Sequence, residues 1–277
     1  MNLQHLKLET TRENLISRFI DLLAPIAKGQ RGLIIASPQT GYKLILETIA
    51  NSVAVNHPEV VVMVLLLDQP EDEAAAMKRS IKAEVFFSTR QQPDARHIHL
   101  AEMTMERARR LAAQKRDVLV LVDSLTRLAQ AYSEVLPLPD KTEPSTSNPY
   151  ARRQTRQFFE ATRNFDSVGS LTMVAVAEIE NQTPEETMLL QELKTTTEMQ
   201  IVLEERVLDE GIFPAVNIHR SGNKNQEMFI PLEDLGRTFV LRKVLEALSP
   251  AEAAKLLGGK LLMTQSNKQF LGNMSSI

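Results

Sequence analysis

Residues 32–50 read GLIIASPQTGYKLILETIA. The apolar run Gly32-Leu33-Ile34-Ile35 has the composition of a buried strand, Leu44 to Ala50 that of a helix, and ASPQTGYK (36–43) turns between them. A strand, a tight turn and a helix in this order is where a phosphate-binding loop belongs. Such a loop works because backbone N–H groups at a helix N-terminus converge on the phosphates, a lysine neutralises them and a hydroxyl holds magnesium. Here the turn survives through Gly41, but Tyr42 stands in the lysine slot and Lys43 in the hydroxyl slot. A phenol brings no positive charge, and an ammonium at the magnesium position repels the metal. Taken alone, the stretch reads as an ordinary strand-to-helix turn unless Lys43 swings back to replace the missing lysine.

Working outward, the same alternation repeats. Gly32 to Ala36, Val60 to Leu67, Val118 to Val122 and Leu171 to Val176 are almost wholly apolar, as central parallel strands buried on both faces are. Helical stretches lie between them: Lys43 to Asn56, Glu71 to Lys82, Ala101 to Lys115, Leu125 to Leu136 and Ala151 to Asn164. This predicts an α/β fold, a doubly wound and mostly parallel sheet with helices on both faces. A helix through Leu23 starts at Glu9-Thr10-Thr11-Arg12-Glu13. Later, Met199 to Leu203 and Ile212 to Ile218 read as adjacent strands joined across EERVLDEG (204–211). From Leu232 the pattern turns helical, Pro250 opens a last amphipathic helix, and a polar tail follows from Thr264. The expected organisation is a single domain over 1–277, with an N-terminal helical extension over 1–24 and a helical subregion over 232–277. Pro137 to Pro149, rich in Pro, Ser and Thr, reads as a mobile loop.

The net charge of −3, with 24% charged and 43% hydrophobic residues, is that of an ordinary soluble protein and demands no polyanionic partner. The chain has no cysteine, which excludes disulfides, thiolate zinc sites and cysteine nucleophiles. The longest apolar run, Val60 to Leu67, is too short to span a bilayer, and no signal peptide opens the chain; a cytoplasmic location and no membrane partner follow. Among the five histidines only His97-Ile98-His99 has close spacing, and that pair reads as one face of a short strand rather than a metal site. DVLVLVDSLTRLAQAY (117–132) places Asp123 at the carboxyl end of a buried strand, where the magnesium-linked aspartate of phosphate-loop ATPases sits. An aspartate is also a common helix N-cap, and both readings stay open.

APIAKGQRGLIIASP, IANSVAVNHPEVVVMVLLLDQPED, FFEATRNFDSVGSLTMVA and IFPAVNIHRSGNK, with the long stretch through Asp123, closely resemble the motor domain of the transcription termination factor Rho family. The resemblance covers residues 15 to 270. It implies a RecA-like ATPase domain of the kind that, in that family, assembles into hexamers and pulls RNA through a pore. It also implies that the family's N-terminal RNA-binding domain is lacking. The family's loop ends in Gly-Lys-Thr, against Gly41-Tyr42-Lys43 here. Its catalytic glutamate aligns with Gln69, and an amide cannot take a proton from water. Its arginine finger aligns with Lys224, which keeps the charge without the bidentate fork. The basic segment before its Val-Phe-Pro aligns with the acidic Glu204 to Gly211, which would face a neighbour's triphosphate. The first of its pore loops aligns near Pro144 to Pro149, and the lysine of the second with Pro184.

The resemblance keeps Thr40, Gly41, Asp123, Arg127 and Phe213 as a vestigial nucleotide site alongside Tyr42 and Lys43. Phe213 is a base-stacking residue or a core or interface phenylalanine. Arg152, Arg153 and Arg156 form a basic face that touches RNA or a partner carboxylate, or is simply solvated. The resulting expectation is a non-enzyme, a Rho-like pseudo-ATPase with no cofactor (neither ATP nor magnesium) and no metal. It would bind Rho or Rho-associated machinery, with RNA as a weak partner, and inhibit termination. The alternatives are a weak residual ATPase or RNA translocase of the Rho family, and a single-stranded RNA-binding module. Self-assembly is left open.

Overall fold

The computed structural model describes residues 3–137, 148–165 and 169–274. Most of the Pro137 to Pro149 loop therefore lies outside the described residues. Along the chain run α1 (Leu15–Leu23), β1 (Arg31–Ala36), α2 (Tyr42–Asn56), β2 (Val61–Gln69), α3 (Glu71–Ser80), β3 (Glu84–Thr89), α4 (Asp94–Ala113), β4 (Asp117–Asp123), α5 (Leu125–Val135) and α6 (Pro149–Phe159). They are followed by β5 (Arg163–Phe165), β6 (Gly169–Glu178), α7 (Pro184–Thr196), β7 (Met199–Val202), α8 (Glu205–Asp209), β8 (Gly222–Asn223), α9 (Leu232–Glu246), α10 (Pro250–Leu262) and α11 (Asn267–Asn273).

Two compact units emerge, and β1 gives residues to both. One comprises residues 29–33 and 59–197. Its strands lie in the order β3-β2-β4-β6-β1, with β5 antiparallel to β6. The pairs β2–β3, β2–β4 and β4–β6 are parallel, and Val61 stands beside Val118 and Val118 beside Leu171. Continuous Val, Leu and Met runs suit these strands because helices cover them: α4 packs on β2, β3, β4 and β6, and α5 packs on α4 and α6. Gly169 opens β6 under the end of α4, where a β-carbon would stand 2.5 Å from the Ala112 carbonyl oxygen. Only glycine admits that approach.

The other unit comprises residues 1–28, 34–58 and 198–277. Here the second half of β1 lies next to β7, and β7 pairs antiparallel with β8. Asn14 caps α1, whose Ile16, Phe19, Ile20 and Leu23 are buried, and α1 packs on α2 and α10. Pro250 stands in the first turn of α10, and Ser249 with Glu252 forms a capping box around it.

Several expectations are corrected. His97 and His99 lie on α4, which begins at Asp94, and His97 turns inward to place Nδ1 2.8 Å from the Ser88 hydroxyl. Ile212 to Ile218 is no strand; only the isolated bridge Leu203–Val216 forms there, next to the cis peptide Phe213–Pro214. The tail after Thr264 is partly helical, because Ser266 caps α11 through the Gln269 N–H. The helix expected through Asn164 stops at Phe159, and β5 begins at Arg163.

Candidate functional site

The loop forms within the second of these units. β1 ends at Ala36, Ser37 is extended, and Pro38–Thr40 make one 3-10 turn. Thr40 closes that turn twice, its N–H at 3.2 Å and its hydroxyl at 2.7 Å both reaching the Ser37 carbonyl. Gly41 then adopts φ 76°, in the left-handed region. A β-carbon at Gly41 would stand 3.1 Å from Cε2 of Phe213, so the exposed aromatic ring lies directly against the loop backbone. No side chain caps the first turn of α2 and no acid stands in it. The helix thus offers its positive end at the loop.

The two substituted positions open this helix. Tyr42 is 1% exposed and its ring belongs to the packed interior. Lys43, one position on and about 100° further round the helix, is half-buried. The acidic segment, expected as a plain loop between strands, folds as α8 beside the 3-10 turn and is anchored by buried Val207. Glu204 is held by Asn217 Nδ2 at 2.7 Å and pairs with Arg220 at 3.2 Å, while Glu205, Asp209 and Glu210 are exposed. Lys224 follows β8 on the surface, its N–H donating to the Glu198 carbonyl at 2.9 Å.

The other unit carries the carboxylates. Asp123 ends β4 fully buried, and Ser124 caps α5 by accepting from the Arg127 N–H. Gln69 ends the neighbouring strand β2, and its Nε2 donates to Asp123 Oδ2 at 3.2 Å and to the Leu67 carbonyl at 3.3 Å. Arg127 donates from Nη1 to the Asp68 carbonyl at 2.5 Å and from Nη2 to both Glu178 oxygens at 3.2 and 3.3 Å. Thr126 ties in the same glutamate, its hydroxyl donating to the Glu178 carbonyl at 3.0 Å. Glu178 has no place in the sequence reading. It carries the same signature as Asp123, an acid ending a buried apolar strand, and could have been found by it.

The ATP synthase alpha/beta family, nucleotide-binding domain, matches residues 17–222. The chain belongs to this family. Transcription termination factor Rho of Cereibacter sphaeroides is 40% identical over 99% of this chain and 65% of its own length. Rho of Chromobacterium violaceum is 41% identical over 95% of this chain and 63% of its own. The chain spans less than two thirds of the length of these relatives. Among solved structures, the assembled ATPase EscN of the enteropathogenic E. coli type III secretion system gives a TM-score of 0.79 at 18% identity, over 100% of this chain and 72% of that one. The ATP synthase subunit NeqB of Nanoarcheaum equitans gives 0.78 at 19%, over 93% and 73%. At such identities these two establish the RecA-like α/β fold alone.

Membership of the ATP synthase alpha/beta family corrects two expectations. The expectation of a non-enzyme without ATP or magnesium is overturned by the match to a nucleotide-binding domain and by the Rho relatives. The physical reason lies in what Tyr42, Gln69 and Lys224 leave untouched. Phosphate binding rests largely on backbone N–H groups at a helix start, and a glycine-shaped turn with an uncapped helix is present. A single buried carboxylate at a strand end, Asp123, suits a magnesium ion that keeps several waters and arrives with phosphates. Among the described residues no group of three or more His, Asp or Glu could hold a metal by itself.

The three arginines of the basic face lie on α6. Arg152 pairs with Glu192 at 2.9 Å across α6 and α7, and Arg156 pairs with Glu160 at 3.5 Å along α6. Arg153 is exposed. Two of the three guanidinium groups are thus already engaged with carboxylates. Among the described residues no helix is long and apolar enough to cross a membrane.

Proposed function

We propose that this chain is a Rho-type ATPase module that binds ATP with magnesium, hydrolyses it slowly and serves transcription termination on RNA. The observation that supports this reading is the family match over residues 17–222, carried by a chain 40% identical to Rho across nearly its whole length. In this reading the first-turn N–H groups of α2 receive the phosphates and Lys43 supplies the positive charge that Tyr42 does not; Asp123, buried at the end of β4, is the residue that the resemblance to Rho assigns to magnesium. When bound, magnesium would supply positive charge that offsets the charge developing on the phosphates, with Asp123 as the residue to hold it. Gln69 orients water by hydrogen bonding without removing its proton, which keeps turnover low. Phe213 offers a face on which a base can stack. Rho or Rho-associated machinery is the proposed protein partner, and co-elution of the two is its test.

The deciding experiment follows phosphate release by the purified chain beside Lys43→Ala and Asp123→Asn. Slow, magnesium-dependent hydrolysis that falls in both variants supports the reading. A wild-type chain that binds no nucleotide, or a rate indifferent to both substitutions, overturns it.

A further inference from the structure

Asp68, the next-to-last residue of β2, has φ 53°, in the left-handed region that residues with a side chain seldom adopt. At this point the ladder between β2 and β3 changes register. From Leu66 to Gln69 β2 takes three steps, while β3 takes two from Phe87 to Thr89. One extra residue is thus inserted into β2, and such an insertion re-aims the side chains that follow it. The side chain re-aimed here is that of Gln69, which is 2% exposed and reaches across to Asp123 on β4.

A strained backbone persists only where its surroundings hold it, and Ser88 and Arg127 do so here. The Ser88 hydroxyl, 2.8 Å from His97 Nδ1, accepts from the Asp68 N–H at 3.4 Å. Arg127 donates from Nη1 to the Asp68 carbonyl at 2.5 Å, and the same nitrogen lies 3.8 Å from the Asp68 carboxylate. The first contact is long and the second short and charge-assisted, so Arg127 is the principal hold. Glu178 in turn fixes the guanidinium by taking Nη2 on both of its oxygens, and Thr126 fixes Glu178 through the backbone N–H at 2.9 Å and carbonyl at 3.0 Å. A buried ion pair is a weak source of stability, because both charges lose water. What this one supplies is geometry: from helix α5, Arg127 spans the ends of β2 and β6. We propose that Glu178 is a positioning residue for hydrolysis, holding the inserted residue at Asp68 through Arg127 and thereby keeping the side chain at position 69 against Asp123. The proposal rests on the ATPase reading above, which gives residue 69 the reacting water.

Glu178→Gln tests this with little change of shape, and the Thr126 bonds survive it because they involve only the backbone of residue 178. Arg127→Lys is the second variant, since a single ammonium cannot reach Asp68 and Glu178 together. In the full chain with isotope-labelled glutamine side chains, nuclear magnetic resonance follows the Gln69 amide, assigned by its loss in Gln69→Glu. In both variants its exchange with solvent speeds up by about tenfold or more. Gln30, also 2% exposed and in the same unit, keeps its rate. In steady-state ATP hydrolysis by Glu178→Gln, kcat falls about 10- to 100-fold while KM stays as it is, because the substitution removes no phosphate contact. Equal acceleration at Gln69 and Gln30 is general loosening and overturns the proposal. So does a Gln69 amide unchanged in both variants, or a loss confined to KM. A parent chain without turnover overturns the ATPase reading and with it the role in hydrolysis, and the Gln69 amide then decides by itself whether Glu178 holds that side chain in place.

Discussion

The side-chain amide of Gln69 spans the carboxyl ends of two parallel strands to donate to Asp123 at 3.2 Å, both residues being buried. In Gln69→Glu this donor becomes a second carboxylate that can take a proton from water. Magnesium-dependent phosphate release is expected to rise by about 10²-fold, the low end for a general base. Two buried carboxylates at that separation repel, so the thermal midpoint of the variant should drop without magnesium nucleotide and recover with it. An unchanged rate would place the reacting water away from residue 69.

Gly41 is needed for its left-handed backbone and for the space that Phe213 occupies. Gly41→Ala should cost about 1–2 kcal/mol from the backbone alone, plus the displacement of the ring. Denaturant unfolding of Gly41→Ala in a Phe213→Ala background separates the two: truncating the ring recovers the steric share and leaves the backbone share.

Arg18, wholly buried, donates to the carbonyls of Leu261 at 2.7 Å and Thr264 at 3.0 Å, to the Thr264 hydroxyl at 2.8 Å and to Asn267 Oδ1 at 3.0 Å, with Glu9 at 3.7 Å. Removing it strands these acceptors without water. Arg18→Ala should lose about 3–5 kcal/mol in denaturant unfolding. Arg18→Lys should recover only a minor part, because an ammonium cannot reproduce the planar fork.

Burial, reinforced by Glu102, whose carboxylate lies 3.5 Å from the phenol, pushes the Tyr132 pKa up to about 12. The folded value lies above the unfolded one, near 10, so the phenol's contribution is fully present below pH 10 and is lost as pH rises toward 12. Stability should therefore decline by about 1–2 kcal/mol across that window. Tyr132→Phe should flatten that slope while leaving the neutral-pH rate of unfolding close to that of the parent.

The central strands could be read from sequence because burial on both faces leaves a continuous apolar run, as in Val118 to Val122. β3 could not. Glu84-Val85-Phe86-Phe87-Ser88-Thr89 is an edge strand, half-exposed along most of its length, and its mixed composition hides it. The histidine pair 97 and 99 has the spacing of one strand face but lies on a helix that Pro93 opens, whose inward face takes His97, so a period of 3.6 applies in place of two. At the site, the side-chain substitutions at 42, 69 and 224 are legible in the sequence. The features that outlast them, the φ of Gly41 and the bare first turn of α2, are backbone properties that residue types show only indirectly.

The hydrogen bonds of Arg18 join residues 243 to 249 positions apart in the chain. At a synthesis rate of about 5–20 residues per second, the guanidinium waits roughly 12–50 s on the ribosome before its acceptors exist. For that interval α1 has left the active centre of translation with a charged side chain in the middle of its apolar face. The packing of α1 is thus completed only after the segment that carries Leu261, Thr264 and Asn267 has been made.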